Sequence, residues 1–298
     1  MFRFRRNALL LSLICLSINY SIAQLSVFKD LSYVEDGTGS KHQKLSLVLP
    51  ENSSETPLLI WIGGGAWSYV DYNLELNFAK KFAETGVAVA TVGHRLSPAT
   101  WRDPDLNKGV QHPAHVNDLA SAIKWLYDHA TEYGYSQEKI FIGGFSSGGH
   151  LAALVDLDRK YLGAQNLPKD LFKGIIPISG AYDITHYHTT FKNGSQPELA
   201  IQHVEAVFGS TSEALIDASP MTYLENLSTP MLIISDGTVN RYTEYFEAAL
   251  DKTSFNEYRF VYARELSHTE LWRQMSFSDS SQYRDLITSF IQTQLNKL

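Results

Sequence analysis

Cysteine is nearly absent: the 298 residues contain one, Cys15. A chain with a single cysteine makes no internal disulfide, so burial alone must hold its core even in an oxidising compartment. Positive charge is also in short supply, with 25 Lys and Arg against 32 Asp and Glu and a formal charge of −7. That balance argues against nucleic acid or an anionic membrane as a partner. There is no internal repeat, low-complexity tract or linker-like stretch, and the apolar run 8–18 is too short to span a bilayer comfortably. The glycine-rich stretches lack the lysine of a P-loop and the G-x-G-x-x-G spacing of a dinucleotide site. His186 and His188 form a pair, but no carboxylate or cysteine sits at ligand spacing beside them, so no metal or other cofactor is expected.

The first residues look like an address. Arg3, Arg5 and Arg6 precede the apolar run, and Ser21-Ile22-Ala23 supplies the small residues a signal peptidase reads. Residues 1–23 therefore read as an export signal cleaved before Gln24, giving a periplasmic or extracellular chain with no stable membrane span. An uncleaved anchor is the alternative. Bulky Ile14 before Cys15 disfavours a lipoprotein. Without the three arginines the charge of −7 becomes −10.

Beyond the signal, strands and helices alternate. Residues 44–49 alternate in polarity and stop at Pro50, whereas 57–62 is a continuous apolar run of the kind found inside a parallel sheet. Residues 87–92 give the next strand. Leu74, Phe78 and Phe82 fit one face of a helix; so do Val116, Leu119, Ile123 and Leu126, with Asp118 on the polar side. Strands are expected at 140–142, 174–180, 231–234 and 257–262, the second of these segments blemished by Pro177, which has no N–H for a ladder. Helices are expected at 242–250 and 286–295. The stretch 181–228 is less regular and reads as a small cap. The pattern predicts an α/β fold, a mostly parallel twisted sheet with helices on both faces, in one domain over 24–298.

The chain is organised around Gly144-Phe145-Ser146-Ser147-Gly148, a G-x-S-x-G sequence between an apolar strand and a helical run. That turn exposes a serine at a strained backbone, with small residues two positions either side so that strand and helix can approach. A serine hydroxyl needs a base within hydrogen-bond reach, and reactive groups gather past the carboxyl ends of the strands. His268, after the last strand, fits that role. Gly63-Gly64-Gly65, past another strand, can offer the amides of Gly64 and Gly65 to an oxyanion, with the amide of Ser147 beside them.

With these residues in place the chain resembles an α/β-hydrolase of the secreted carboxylesterase group that includes feruloyl and acetyl esterases, hormone-sensitive-lipase-like enzymes and kynurenine formamidases. The resemblance rests on 61–67, His94-Arg95-Leu96-Ser97-Pro98, His112-Pro113-Ala114 with Asp118, 144–150, 179–183, Ser219-Pro220 and 230–240, in family order. It implies an acyl-enzyme mechanism at Ser146 and His268, with a small-molecule or saccharide-linked ester as substrate. Two departures stand out. The family has His-Gly-Gly at 63–65, where its histidine orients the loop. It also has His-Gly-x-x-Asp where this chain has Asp236-Gly237-Thr238-Val239-Asn240, which puts Asn240 at the acid position. An asparagine orients an imidazole but cannot stabilise the imidazolium by charge, and it can favour the wrong tautomer, a loss of about 10⁴-fold in turnover in a serine protease. Asp183 and Asp236 are the alternative acids. Trp67, Tyr69, Trp101, His186 and His188 are the expected walls of the substrate pocket. The competing readings are a weak or silent binding protein on the same fold, and a small amidase or peptidase.

Overall fold

The computed structural model describes residues 25–34, 38–51 and 55–298. The proposed signal and Cys15 lie outside the described residues. No helix among the described residues is long and apolar enough to cross a membrane.

The first half runs β1 (Ser26–Ser32), β2 (Lys44–Leu49), β3 (Thr56–Ile62), α1 (Leu76–Ala83), β4 (Ala88–Val92), α2 (Ala114–Asp128), α3 (Ala130–Tyr133), β5 (Tyr135–Phe145) and α4 (Ser147–Leu157). The second half continues with α5 (Lys160–Ala164), β6 (Phe172–Ile178), α6 (Ile184–Lys192), a π-helical turn (Ala200–Glu205), α7 (Ala206–Phe208), α8 (Ser212–Asp217) and a 3₁₀ turn (Pro220–Asn226). It closes with β7 (Met231–Asp236), α9 (Asn240–Leu250), β8 (Tyr258–Ala263), α10 (His268–Phe277) and α11 (Gln282–Leu295). The eight strands form one sheet in the order β1-β2-β4-β3-β5-β6-β7-β8. β1, β2 and β4 pair antiparallel, and every pair from β4 to β8 is parallel.

The apolar run of β3 is buried on both faces. Leu58, Ile60 and Ile62 join one core cluster, and Leu59 and Trp61 join the other. A strand with period-two side chains and no polar face needs helices above and below it. Each such Leu or Ile contributes about 1.5–3 kcal/mol on burial.

Four expectations need adjustment. β1 was not foreseen; it is an edge strand with mostly exposed side chains, and its sequence carries no half-buried alternation. The stretch 181–228 is largely helical. Asp118 is buried at 3% exposure, because Arg95 donates to both of its carboxylate oxygens through Nε and to Oδ1 through Nη2 at 2.7 Å. A paired charge can enter a core where an unpaired one cannot. Leu74 is off the helix, which starts at Leu76, and is exposed.

Pro177 does lie in a central strand. The N–H groups of Ile175 and Ser179 donate to the carbonyls of Pro230, just before β7, and Ile234, within it, at 2.9 and 2.8 Å, so the missing donor falls between two intact bonds on the β7 side. Toward β5, Pro177 stands opposite Gly144 in an unbroken register. The sheet loses one bond there without losing alignment.

Register places the site. Ile62 pairs with Gly144, Phe145 with Ile178, Ile178 with Ile234, and Asp236 with Ala263. Residues 63–65, 146, 179, 237 and 264 therefore leave the sheet along the same edge.

Candidate active site

Ser146 occupies the bend between β5 and α4 with φ 56° and ψ −118°, a left-handed backbone that an L-residue adopts only under constraint. The constraint is visible. The Ser146 N–H donates to Ile178 O at 2.7 Å, and Ser146 O accepts from His150 N at 3.1 Å. The glycines are required by close approach. A Cβ on Gly144 would stand 2.6 Å from Gly148 O, one on Gly149 2.6 Å from Ile178 O, and one on Gly148 would collide with Ile62 O.

Ser146 and His268 border one cavity of about 240 Å³, together with Gly64, Gly65, Tyr69, Leu74, Glu75, Phe145, Thr269 and Trp272. His268 is the first residue of α10, whose start is fixed by a reciprocal cap between Ser267 and Glu270. Its backbone N–H donates to Thr238 Oγ1 at 3.2 Å, and the Phe145 ring lies 4.5 Å from its imidazole.

The partner of the His268 ring is Asp236. Its Oδ2 lies 2.7 Å from His268 Nδ1, and the aspartate is fully buried at the end of β7. Oδ1 accepts from the N–H groups of Thr238 at 2.8 Å and Val239 at 3.3 Å. Burial alone would raise this carboxyl, but hydrogen bonds with His268 and Ser179 hold it below the ordinary aspartate value. It is therefore the charged group facing the ring.

This corrects the assignment made by position. Asn240 begins α9, and His268 Nδ1 is taken by Asp236 instead. Asp183 caps α6, its Oδ1 accepting from His186 N at 2.8 Å. The expected pocket walls also divide. Tyr69 lines the cavity, with the Arg102 guanidinium 4.4 Å from its ring centroid. Trp67 is 3% exposed and donates from Nε1 to His150 Nδ1 at 3.2 Å, an interior contact. Trp101 neighbours Tyr69 and His203 at centroid distances of 6.1 and 5.6 Å and stays out of the cavity lining. His186 stacks near Tyr245 at 4.2 Å, and His188 Nε2 lies 2.9 Å from Glu205 Oε1. His188 thus packs within the helical segment between β6 and β7, and His186 packs that segment against α9. Among the described residues no group of three or more His, Cys, Asp or Glu is arranged to hold a metal ion.

Gly64 lies against Ser146, since a Cβ there would sit 3.2 Å from Ser146 Cβ. Gly65 has φ 151°, and Ala66 and Trp67 follow at φ 49° and 55°. A loop with three consecutive positive φ values is held, not relaxed. Glu75, Leu74, Phe145, Thr269 and Trp272 also line the cavity, none of them expected as a pocket wall from the sequence. Thr269 and Trp272 had a usable signal, lying within the first turn and a half after His268. Glu75 had none.

A model of the BD-FAE family matches residues 45–246. The chain belongs to the BD-FAE family. Among relatives, it is 26% identical over 210 residues to the probable carboxylic ester hydrolase LipM of Mycobacterium tuberculosis, an alignment covering 69% of this chain and 46% of that protein. The chain thus spans under half the length of that relative. It is 28% identical over 216 residues to the kynurenine formamidase-like hydrolase fscH of Fusarium equiseti, covering 65% and 68%. Among solved structures, esterase B from Lactobacillus rhamnosis superposes with a TM-score of 0.76 at 17% identity, over 92% of this chain and 88% of that one. At that identity the likeness is one of fold. Family and superposition agree on the α/β-hydrolase architecture of the carboxylesterase group.

Proposed function

We propose that the protein is an exported serine carboxylic-ester hydrolase acting on a small-molecule or saccharide-linked ester. The observation that carries this reading is the shared cavity of Ser146 and His268, with the buried Asp236 carboxylate 2.7 Å behind the imidazole. Ser146 Oγ attacks the ester carbonyl carbon while His268 takes its proton. The amides of Gly64, Gly65 and Ser147 receive the oxyanion. The alkoxide leaves with the proton from the imidazolium, water then gives a proton to His268 and attacks the acyl carbon, and the acid departs as the proton returns to Ser146. Asp236 keeps the ring in the tautomer with Nδ1 protonated and stabilises the imidazolium by charge.

Turnover of an activated acetyl ester tests this, with Ser146→Ala and His268→Ala expected to lower kcat by roughly 10⁴- to 10⁶-fold. Unchanged turnover in Ser146→Ala would refute the reading. The formamidase-like relative favours a second substrate class, and the same enzyme assayed on an N-formyl amide separates the two, because ester against amide preference lives in the pocket. Export is supported by Arg3, Arg5 and Arg6, the apolar run and the small residues 21–23. Secreted protein whose N-terminal sequence begins elsewhere than Gln24 would count against that cleavage.

A further inference from the structure

Glu75 is an acid with little reason to be where it is. It is 3% exposed at the start of α1, borders the cavity of Ser146 and His268, and no Lys, Arg or His among the described residues forms an ion pair with it. Burial raises its carboxyl above the ordinary glutamate value, and two indoles partly offset that. Oε2 accepts from Trp61 Nε1 at 2.9 Å, and Oε1 accepts from Trp272 Nε1 at 3.1 Å. An indole N–H only donates, and the carboxyl offers one acceptor oxygen to each of the two.

The two indoles belong to the two halves of the site. Trp61 is the next-to-last residue of β3, immediately upstream of the 63–65 loop, and its ring is stacked on Phe78 at 4.1 Å. Trp272 lies one turn along α10 from His268. Between them the glutamate fills the room that a side chain at position 63 would need: a Cβ on Gly63 would be 2.9 Å from Glu75 Cγ and 3.1 Å from its Oε1. A run of three glycines has the largest backbone freedom to lose on ordering, and an oxyanion hole works only when its amides are fixed relative to the base.

We propose that Glu75 is a positioning residue, its carboxyl tying the Gly63–Gly65 loop to the helix that carries His268. This rests on the ester-hydrolase reading above. The carboxyl acts from below the loop, where no side chain at 63 is present to hold it. Breaking the tie lets the amides of Gly64 and Gly65 drift relative to the imidazole while the cavity walls persist.

The test compares Glu75→Gln, Trp272→Phe and the double variant on an activated acetyl ester, reading kcat, KM and melting temperature, with enzyme concentration set by fluorophosphonate titration. Glu75→Gln leaves an amide N–H₂ facing one indole and should lower kcat roughly 10- to 100-fold, as expected for a misplacement of about 1 Å at the reacting groups. KM should stay within about twofold, the pattern of an interaction realised in the transition state. Trp272→Phe severs one arm, keeps the Trp61 anchor and should move kcat in the same direction, so it carries the test if Glu75→Gln folds poorly. The double variant should cost no more than about threefold beyond Glu75→Gln, because both changes break one bridge. A raised KM at unchanged kcat would make Glu75 a substrate contact, and a lowered melting temperature with unchanged kcat would make it packing. Either result, or fully additive losses, overturns the proposal. If the wild-type enzyme neither turns over ester nor takes the phosphonate, the underlying reading fails and this one with it.

Discussion

At the scale of single residues, the charge behind His268 decides how strong the site is. In the proposed mechanism a carboxylate 2.7 Å from Nδ1 stabilises the imidazolium that forms when Ser146 is deprotonated; an amide there would not. Asp236→Asn should therefore lower kcat by about 10⁴-fold with the fold retained. Asn240→Asp and Asp183→Asn should change kcat by less than about threefold, the latter because asparagine caps a helix about as well as aspartate. Steady-state kinetics of the three variants checks this, and a collapse in Asp183→Asn with Asp236→Asn spared would reverse the assignment. The sequence made Asn240 look like the acid because motifs align by position along the chain. What the alignment could not show is that β7 ends on Asp236, in register with Ala263, and that the chain then turns back so that Gly237 N donates to Leu266 O at 2.9 Å. That turn delivers the ring to the strand end four residues before the expected acid. With a carboxylate on the ring, the asparagine no longer argues for a silent binding protein.

At the scale of elements, the turn from β5 to α4 depends on what glycine lacks. Gly148→Ala places a methyl against the Ile62 carbonyl, a backbone atom of a fully buried residue hydrogen-bonded within the sheet. Overpacking of this kind costs at least about 1–3 kcal/mol. Gly163 is the control: it lies in α5, is exposed, and has nothing within 4 Å of a built Cβ. Gly163→Ala should stabilise the chain by about 0.4–1 kcal/mol. Urea midpoints moving in opposite directions would bear out the contrast, and a neutral Gly148→Ala would contradict the close approach read at this turn. These elements were legible because their signals are local. Each apolar run of β3, β5 and β7, like the glycines of the bend, is complete within a window of a few residues. The edge strand β1 lacks such a pattern. Glu75 was invisible because its partners stand 14 and 197 residues away in sequence. Trp67, His186 and His188 show the converse. Aromatic and histidine side chains near a motif looked like pocket walls, and tertiary packing used them as interior and surface contacts.

At the scale of the whole molecule, stability should fall on the acid side. Burial lowers His150 from 6.5 to about 3 and His203 from 6.5 to about 4, so both are neutral in the folded chain. The unfolded chain takes up those protons as pH drops below 6.5, so the stabilisation from keeping the rings neutral declines until His203 protonates near 4 and His150 near 3. Asp236 adds a loss of the same sign lower down. Its folded carboxyl is depressed, so its contribution is present above the ordinary aspartate value of 3.8 and disappears as pH falls through the folded one. The buried Asp156 carboxyl, raised to about 6, works in the opposite direction, but the two rings outweigh it, so the urea midpoint should be lower at about pH 4.5 than at about pH 7; an equal or higher midpoint would contradict that balance. The sheet edge that gathers residues 63–65, 146 and 236 with His268 is itself a property of the whole sheet, since five parallel strands must hold register for those residues to meet.

The most direct measurement is the mass of the intact protein after exposure to a fluorophosphonate, followed by peptide mapping. A nucleophile activated by His268 and Asp236 should take one phosphonyl group, on Ser146, and Asp236→Asn should take it far more slowly. A folded protein that gains no mass, or that carries the label elsewhere, would contradict the account.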